Sequence, residues 1–487
     1  MLDFNKINHS DGFGTVTPQE LDSLLKSLQS GNYNAQPSTL TNGTALQVES
    51  LDASLRSTTF SEKTLKLWPI IPKDRAYNTY EEYNRRTSFG ESQNGGFFDA
   101  DSGAQPDEET AAYNRQGQNI KYIGTTRIVS HPLTLVRNAH GPVIAQEIKS
   151  GTQWIIQQIE RQLFEANGFF EEGASGNFTG AVADIPTSSI KFNGLEQQIR
   201  SGNNDSKAKY TGWEGYGDTQ SVVYDIRGAV PNEDNIEESC LRSLENFGTP
   251  SHLIVPPRVH KDLSVAFYPK ERVNPMGVAD GKAGFVLTEF YSSAGIIKIM
   301  GDKFLNPKQF SLSAAQTGAP ATPATPTAAA EADATSQLAA STYYYTVSAL
   351  NNKGESLASA EVAQAATAGQ RVAITIAGVA GATYYAVFRS EVSGSNYQFI
   401  GYVKDTNPLG GAGAVFRDAG RRLPGLATGY LLQVESDSLG WKQLAPMMKM
   451  DLAIIGTAMR WMQFIYGTPI VYTPLKNVLM DNIGKNS

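Results

Sequence analysis

The chain has one cysteine, Cys240, in 487 residues. A single thiol excludes an intrachain disulfide framework and any thiolate zinc cluster. Histidine is also scarce: His9, His131, His140, His252 and His260 are all there is. None has the H-x-H or H-E-x-x-H spacing that brings two imidazoles onto one metal. They are read as surface or capping residues. Long apolar runs are missing. The most apolar stretch, 452–472, is interrupted by Arg460, Gln463 and Pro469. It falls short of the ~18–20 uncharged residues that span a bilayer and is read as core. Residues 1–20 show neither a basic n-region nor an apolar h-region, so a secretory signal is not expected. The Asn-x-Ser/Thr triplets at Asn8, Asn42, Asn177 and Asn204 are accordingly read as chance. Charge excess is small, with 41 Lys+Arg against 48 Asp+Glu and a net of −7. That balance argues against a protein that wraps nucleic acid or coats an anionic membrane.

Signatures of catalysis are missing too. Residues 277–283 (GVADGKA) contain a Gly-Lys pair, but Met276 stands where a P-loop needs glycine and Ala283 where it needs Ser or Thr. No G-x-S-x-G elbow is present. The acidic neighbours Glu81–Glu82, Asp107–Glu109 and Glu171–Glu172 are read as solvated loop charges rather than the paired carboxylates of a glycosidase. Asp99, Asp101 and Gly103 begin like a calcium loop but lack its remaining ligands. Arg85–Arg86 and Arg421–Arg422 are tight basic pairs without the clustered aromatics of a nucleic-acid surface. Cys240 lies on the apolar face of its helix and is read as core. No catalytic residue, cofactor or metal is assigned, and the chain is read as a non-enzyme.

What is present is enough apolar material for sizeable cores, 40% hydrophobic and 10% aromatic. At ~150 residues per domain the length corresponds to about three domains, or to one core with large insertions. Residues 1–62 are polar. They carry one short helix with Thr17 as N-cap, Pro18 at N1 and Glu20 closing a capping box. Leu21, Leu24, Leu25 and Leu28 form its stripe and Gly31 its stop. This arm has too few apolar residues to fold alone. Residues 63–130 read as two strands, 76–88 and 119–133, flanking a Gly/Asp-rich stretch. A ribbon of that kind is marginal by itself and needs a surface to lie on. The spacing of Ile144, Ile148, Ile155, Ile159 and Leu163 predicts a helix over 142–167, widened by Trp154, Ile156 and Phe164, with a polar opposite face.

A second helix is predicted over 233–247, capped by Asn232, with Ile236, Cys240, Leu241, Leu244 and Phe247 buried and Gly248 as the stop. A strand over 251–257, a short helix with Val259 and Leu263, and a hairpin over 284–300 follow. Residues 314–330 are an uncharged Ala/Pro/Thr linker. From there to about 425, short strands and turns alternate in a β-sandwich pattern. After Leu426 mixed α/β sequence resumes, so the β-module reads as a guest in a split host.

The order of these parts resembles the Hong Kong 97-type major capsid proteins of tailed bacteriophages. Local stretches carry the likeness: KLWPIIPKDRAYNTYEEYN (66–84), DIRGAVPNEDNIEESCLRSLENFGTPSHLIVPPRVHKDLS (225–264), YPKERV (268–273), GIIKIMGDKFL (295–305) and LAPMMKMDLAIIGTAMRWMQFIYGTPIVYTPLKNVLMDNIG (444–484). The resemblance implies an α+β fold in six parts. These are an N-arm (1–62), an E-loop (63–130), a P-domain with its spine helix (131–220), the first part of an A-domain (221–310), the inserted module (311–425) and a return to the A- and P-domains (426–487). The insertion is similar to immunoglobulin-like or fibronectin type III modules through YYYTVSALNNKGES (343–356) and ATYYAVFRS (382–390). Two departures stand out: these stretches come in reversed order, and Ile374 and Ile376 occupy the strand nearest the missing core Trp. Residues 311–425 hold seven basic and seven acidic groups.

The implied function is self-assembly into the icosahedral shell that encloses a phage genome, in the virion, after assembly in the bacterial cytoplasm. The implied partners are copies of itself in hexamers and pentamers, with portal, scaffold and decoration proteins beside them. DNA is enclosed without sequence-specific binding, no membrane takes part, and the module faces outward toward host surface glycans. Many relatives lose an N-terminal segment to a protease; a chain starting at Met1 is expected to keep its arm. Leu21, Leu24, Leu28, Trp68, Ile70, Ile71, Tyr77, Tyr80 and Tyr83 are the expected intersubunit contacts, with packing on their own subunit as the alternative reading. An encapsulin shell shares the implied fold. A secreted glycan-active enzyme or adhesin with a fibronectin-like module is the alternative of a different class.

Overall fold

The computed structural model describes residues 64–90, 97, 101, 108–136, 141–166, 168, 190–200, 222–271, 286–305, 308, 312–405, 411–453 and 456–484. The arm with Leu21, Leu24, Leu25 and Leu28 lies outside them, as do the 277–283 stretch, Asp99, Asp107, Glu171–Glu172, His9 and His140.

A tight turn opens the described chain, with the Ile70 and Ile71 amides both donating to Leu67 O at 3.0 Å. Strand β1 (Lys73–Arg75) continues from it. Strands β2 (Tyr80–Ser88) and β3 (Ala112–Asn119) pair antiparallel as a ribbon, Tyr80 opposite Asn119. Strand β4 (Lys121–Ser130) then joins a different sheet. The expected single strand over 119–133 is thus corrected at both ends. Ile120, 3% exposed, turns a corner with its amide on Thr79 O at 2.8 Å. Pro132 has no amide to extend the ladder, and helix α1 (His131–Leu135) begins there.

Helix α2 (Val143–Glu165) runs 23 residues, ~34 Å at 1.5 Å per residue. Ile155, Ile159, Leu163 and Phe164 are buried, as their spacing predicts. Trp154 instead stays 40% exposed, because its position is turned ~100° from Ile155. The supposedly polar face holds a surprise in Glu160, which is fully buried. Helix α3 (Leu195–Arg200) and strand β5 (Val223–Asp225) lead to helix α4 (Glu233–Glu245). Asn232 accepts from the Asn235 amide at 2.9 Å, and the Asn235 side chain returns to the Asn232 amide at 3.0 Å. Ile236 and Cys240 are buried, but Leu241 is 48% and Phe247 90% exposed. The helix ends two residues before Phe247. The Phe247 amide reaches Leu244 O and the Gly248 amide reaches Ser243 O, so Phe247 itself takes the left-handed turn position at φ 58°. Its ring consequently points away from the stripe.

Strand β6 (His252–Val255), helix α5 (Pro257–Glu271) and strands β7 (Glu289–Ser292) and β8 (Gly295–Gly301) follow. The module then contributes β9 (Thr327–Ala332), β10 (Ser341–Leu350), β11 (Val362–Ala366), β12 (Gln370–Gly378), β13 (Tyr384–Ser390), β14 (Gln398–Lys404) and β15 (Gly411–Asp418). Two antiparallel sheets, β11-β10-β13-β14 and β15-β12-β9, face each other. Tyr345, Val347, Ile374, Ile376, Tyr385 and Phe388 fill the space between them. The free linker expected over 314–330 is corrected. Its last part is strand β9, and Pro320, Pro323 and Pro326 are buried. Gln316 binds the backbone of Glu355 in both directions, at 3.1 and 3.0 Å.

The return contains β16 (Ala427–Leu432), β17 (Leu439–Asp451), β18 (Ala458–Val471) and β19 (Val478–Ile483). Mixed α/β structure was expected here; among the described residues only strands and one 3-10 turn, Pro474–Lys476, are found. These strands complete two sheets begun before the module. One is β1-β17-β18-β4, backed by α2. The other is β5-β19-β16-β6-β8-β7, packed with α4 and α5.

Candidate assembly surface

The expected contact residues divide by position. Ile71 is 2% exposed in the core of its own chain, and Trp68 and Ile70 pack against that core. The Trp68 ring meets Trp441 edge-on at 5.1 Å, and Lys73 Nζ sits 4.5 Å from the Trp68 ring. This turn is held from below by Glu160. One carboxylate oxygen accepts the amides of Lys66 and Leu67 at 2.8 and 2.7 Å, and the other accepts Trp68 at 2.7 Å. For these three side chains the own-subunit reading describes what they touch.

The tyrosines sit farther out. Tyr83 packs edge-on against Tyr472 at 5.1 Å, and Arg85 ties β2 down, donating to Val471 O at 2.9 Å and to Tyr83 Oη at 3.0 Å. Burial, then the nearby Asp74 and Glu81 carboxylates, push the Tyr472 hydroxyl to a higher pKa, so it stays neutral. Tyr80 is 44% exposed and lies flat over Gly117, where any Cβ would come within 2.3 Å of its ring. Tyr77 is 85% exposed. The ribbon is thus anchored at its base and open along its length: no residue of β3 is buried.

Sequence reasoning missed three further ribbon aromatics. Phe89, Phe97 and Tyr113 are all more than two-thirds exposed, and the Arg86 guanidinium lies 4.0 Å from the Phe89 ring. It also missed a face of the β1-β17-β18-β4 sheet. Register places Tyr122 beside Tyr466, Phe464 beside Met448, Met462 beside Met450, and Ile128 beside Arg460. Alternation puts these residues on one side. Helix α2 covers the other, through Gln463 Nε2 on Ile148 O at 3.0 Å and Arg127 with Glu147 at 3.5 Å. On the open side Tyr122, Ile128, Met448 and Met450 stay substantially exposed among the described residues, and Tyr466 stacks on Phe464 and meets Tyr122 edge-on. The period-two pattern was a legible signal for this face, but periodicity does not tell which side a helix covers.

Other candidates serve structure. Arg85 is used as above, Arg422 pairs with Glu196 at 3.4 Å, and Arg421 O accepts from Asn482 at 2.6 Å. These last two bonds fasten the module to the host, as does the Phe399 amide on Lys308 O. Burial pushes the Cys240 thiol up to about 11, so it is a protonated core residue. His252 is half-buried rather than superficial, with Nδ1 2.8 Å from Ser251 Oγ, and burial together with Lys298 holds it neutral. Among the described residues no group of three His, Cys, Asp or Glu is placed to hold a metal. No helix among them is long and apolar enough to cross a membrane. A cavity of about 230 Å³ beside β4 and α2 is lined by Tyr122, Gln158, Gln162 and Lys191 and brings no nucleophile to a base.

Exposed paired strands and an open apolar sheet face are surfaces suited to contacts. The curated relatives are major capsid proteins. The major capsid protein of Staphylococcus phage K is 22% identical over 298 residues, covering 60% of this chain and 56% of the relative, and the major capsid proteins of two further Staphylococcus phages match equally. The match thus spans little more than half the length of these relatives. No family model matches. Among solved structures, the capsid of Cyanophage P-SCSP1u aligns over 93% of this chain and all of its own, at 9% identity and TM-score 0.43. The holo-SrpI encapsulin complex of Synechococcus elongatus aligns over 92% and 96%, at 9% identity and TM-score 0.41.

Proposed function

We propose that this chain is the major capsid protein of a tailed bacteriophage and that its copies assemble, in a Hong Kong 97-type arrangement, into the icosahedral shell around the genome. The observation that carries the reading is the pairing of an exposed aromatic ribbon with an open apolar sheet face in one chain. Both stay open to solvent among the described residues, and in the proposed assembly they meet between copies. The ribbon of one subunit lies on the β4-β18-β17 face of its neighbour, with the 1–62 arm adding contacts. Tyr77, Phe89 and Tyr113 bring roughly 400 Å² of ring surface, ~10 kcal/mol gross. Association costs about 4–15 kcal/mol. One ribbon contact therefore roughly breaks even, and stability comes from closing many contacts in hexamers and pentamers. The similarity to Staphylococcus phage major capsid proteins supports the same reading.

The neutral module, fastened through Arg421 and Arg422, faces outward, where host surface glycans are the partners it would meet. Portal, scaffold and decoration proteins complete the assembly. A net charge of −7 suits a container that holds DNA without sequence-specific binding. The full chain, expressed alone or with a scaffold, is expected to give megadalton shells by size exclusion and negative-stain microscopy. Removal of residues 1–60 is expected to leave folded subunits that form none. Monomers from the full chain under both conditions, or shells of normal size from the truncation, overturn the reading.

A further inference from the structure

The turn at 64–71 carries both the arm and the start of the ribbon, and it rests on two buried acids. Glu160 of α2 is fully buried and holds three successive amides, those of Lys66, Leu67 and Trp68. Asp302, at the end of β8, is also fully buried and lies against Glu160. Its backbone amide donates to Val255 O at 2.8 Å, and its Oδ1 accepts from the Phe304 amide at 2.9 Å. Its Oδ2 meets no donor among the described residues. A buried carboxylate oxygen without a donor, beside a second buried carboxylate, is costly unless a proton sits between them.

We propose that Asp302 holds a proton on Oδ2 that bridges to Glu160, and that this proton latches the 64–71 turn onto α2, so that its loss in alkaline solution frees the turn. In the latched form Asp302 Oδ2–H donates to a Glu160 oxygen. In the released form the proton has passed to water and two carboxylates face each other in the core. Their repulsion draws in water, and the three amides lose their common acceptor. Burial first, then the contact with Glu160, raise Asp302 to about 7, which places the change near neutrality. The charged groups around the pair do not replace the proton. Lys66 of the turn attracts Asp302 without donating to Oδ2, and Lys73 attracts Glu160 while its Nζ donates to Trp68 O at 2.7 Å. Lys303 lies 5.4 Å from the Phe304 ring. The ring of His260 on α5 sits against Gly301, with its Nε2 2.7 Å from Leu287 O. The inference concerns one chain and stands independently of the capsid reading.

Amide hydrogen exchange on the full chain across pH 6 to 9 tests it. After correction for the intrinsic base-catalysed rate, protection of residues 66–68 is expected to fall by up to about tenfold from pH 6 to a midpoint near neutrality and to level off above it. Asp302→Asn, whose amide donates permanently, is expected to keep that protection level across the range. A flat wild-type profile overturns the proposal without any variant. An equal fall in Asp302→Asn overturns it as well.

Discussion

The module and the ribbon are both antiparallel β-structure, and they use their side chains in opposite ways. Every residue of β13 is buried, whereas no residue of β3 is. The module closes two sheets over a shared core and satisfies itself. The ribbon pairs from Tyr80–Asn119 to Ser88–Ala112 with one irregularity between Arg86 and Ser88, and among the described residues it rests on the rest of the chain only near its base. Strand pairing alone does not make a stable unit. A ribbon so exposed fits the proposed contacts outside its own chain, whereas the module carries a core of its own.

The largest expected effect breaks the ribbon alone. Replacing Tyr77, Phe89 and Tyr113 together by Ser abolishes large assemblies by size exclusion. The subunit's own unfolding free energy moves by only about 0.5 kcal/mol per site, because exposed side chains contribute little to it. A large loss of subunit stability would mean that the ribbon aromatics pack at home. Next comes the module. Arg389 is buried and donates to Asp418 Oδ2 at 2.5 Å, which also accepts from Tyr345 Oη at 3.0 Å. Arg389→Ala leaves Asp418 uncompensated and costs about 3–5 kcal/mol. Calorimetry should show this in a module transition while assemblies persist; loss of assemblies would mean that the module is part of the shell's framework. The smallest effect is the ribbon's own ion pair, Arg115 with Glu82 at 3.5 Å, both side chains exposed. Glu82→Gln is expected to change stability by about 0.5 kcal/mol or less in denaturant titrations, since exposed pairs contribute little.

Much of the local structure was legible. The ridge of α2, the Asn232 cap, the hairpin before the module and most strands of the sandwich follow from spacing and turn chemistry. Strand β9 was hidden because Ala, Pro and Thr read as linker; its place is decided by pairing with β12 some forty residues later. Trp154 and Phe247 failed for a local reason, a position off the ridge and a helix ending two residues early. Glu160 failed for a distant one. A glutamate on a polar helix face reads as solvated until a turn more than 90 residues upstream lays three amides on it. The same limit applies to the contact surface. Tyr77 and Tyr80 were recognisable as aromatics among charges. The open sheet face depends on β4, β17 and β18 coming together from both sides of the module.

The central claim is that the ribbon of one copy lies on the open sheet face of another. Hydroxyl-radical footprinting of unassembled subunits against shells tests both surfaces at once. Tyr77, Phe89 and Tyr113, together with Met448 and Met450, are expected to lose reactivity severalfold on assembly, while Val392 of the module, 63% exposed, keeps its reactivity. Unchanged oxidation of both surfaces in intact shells would contradict the account.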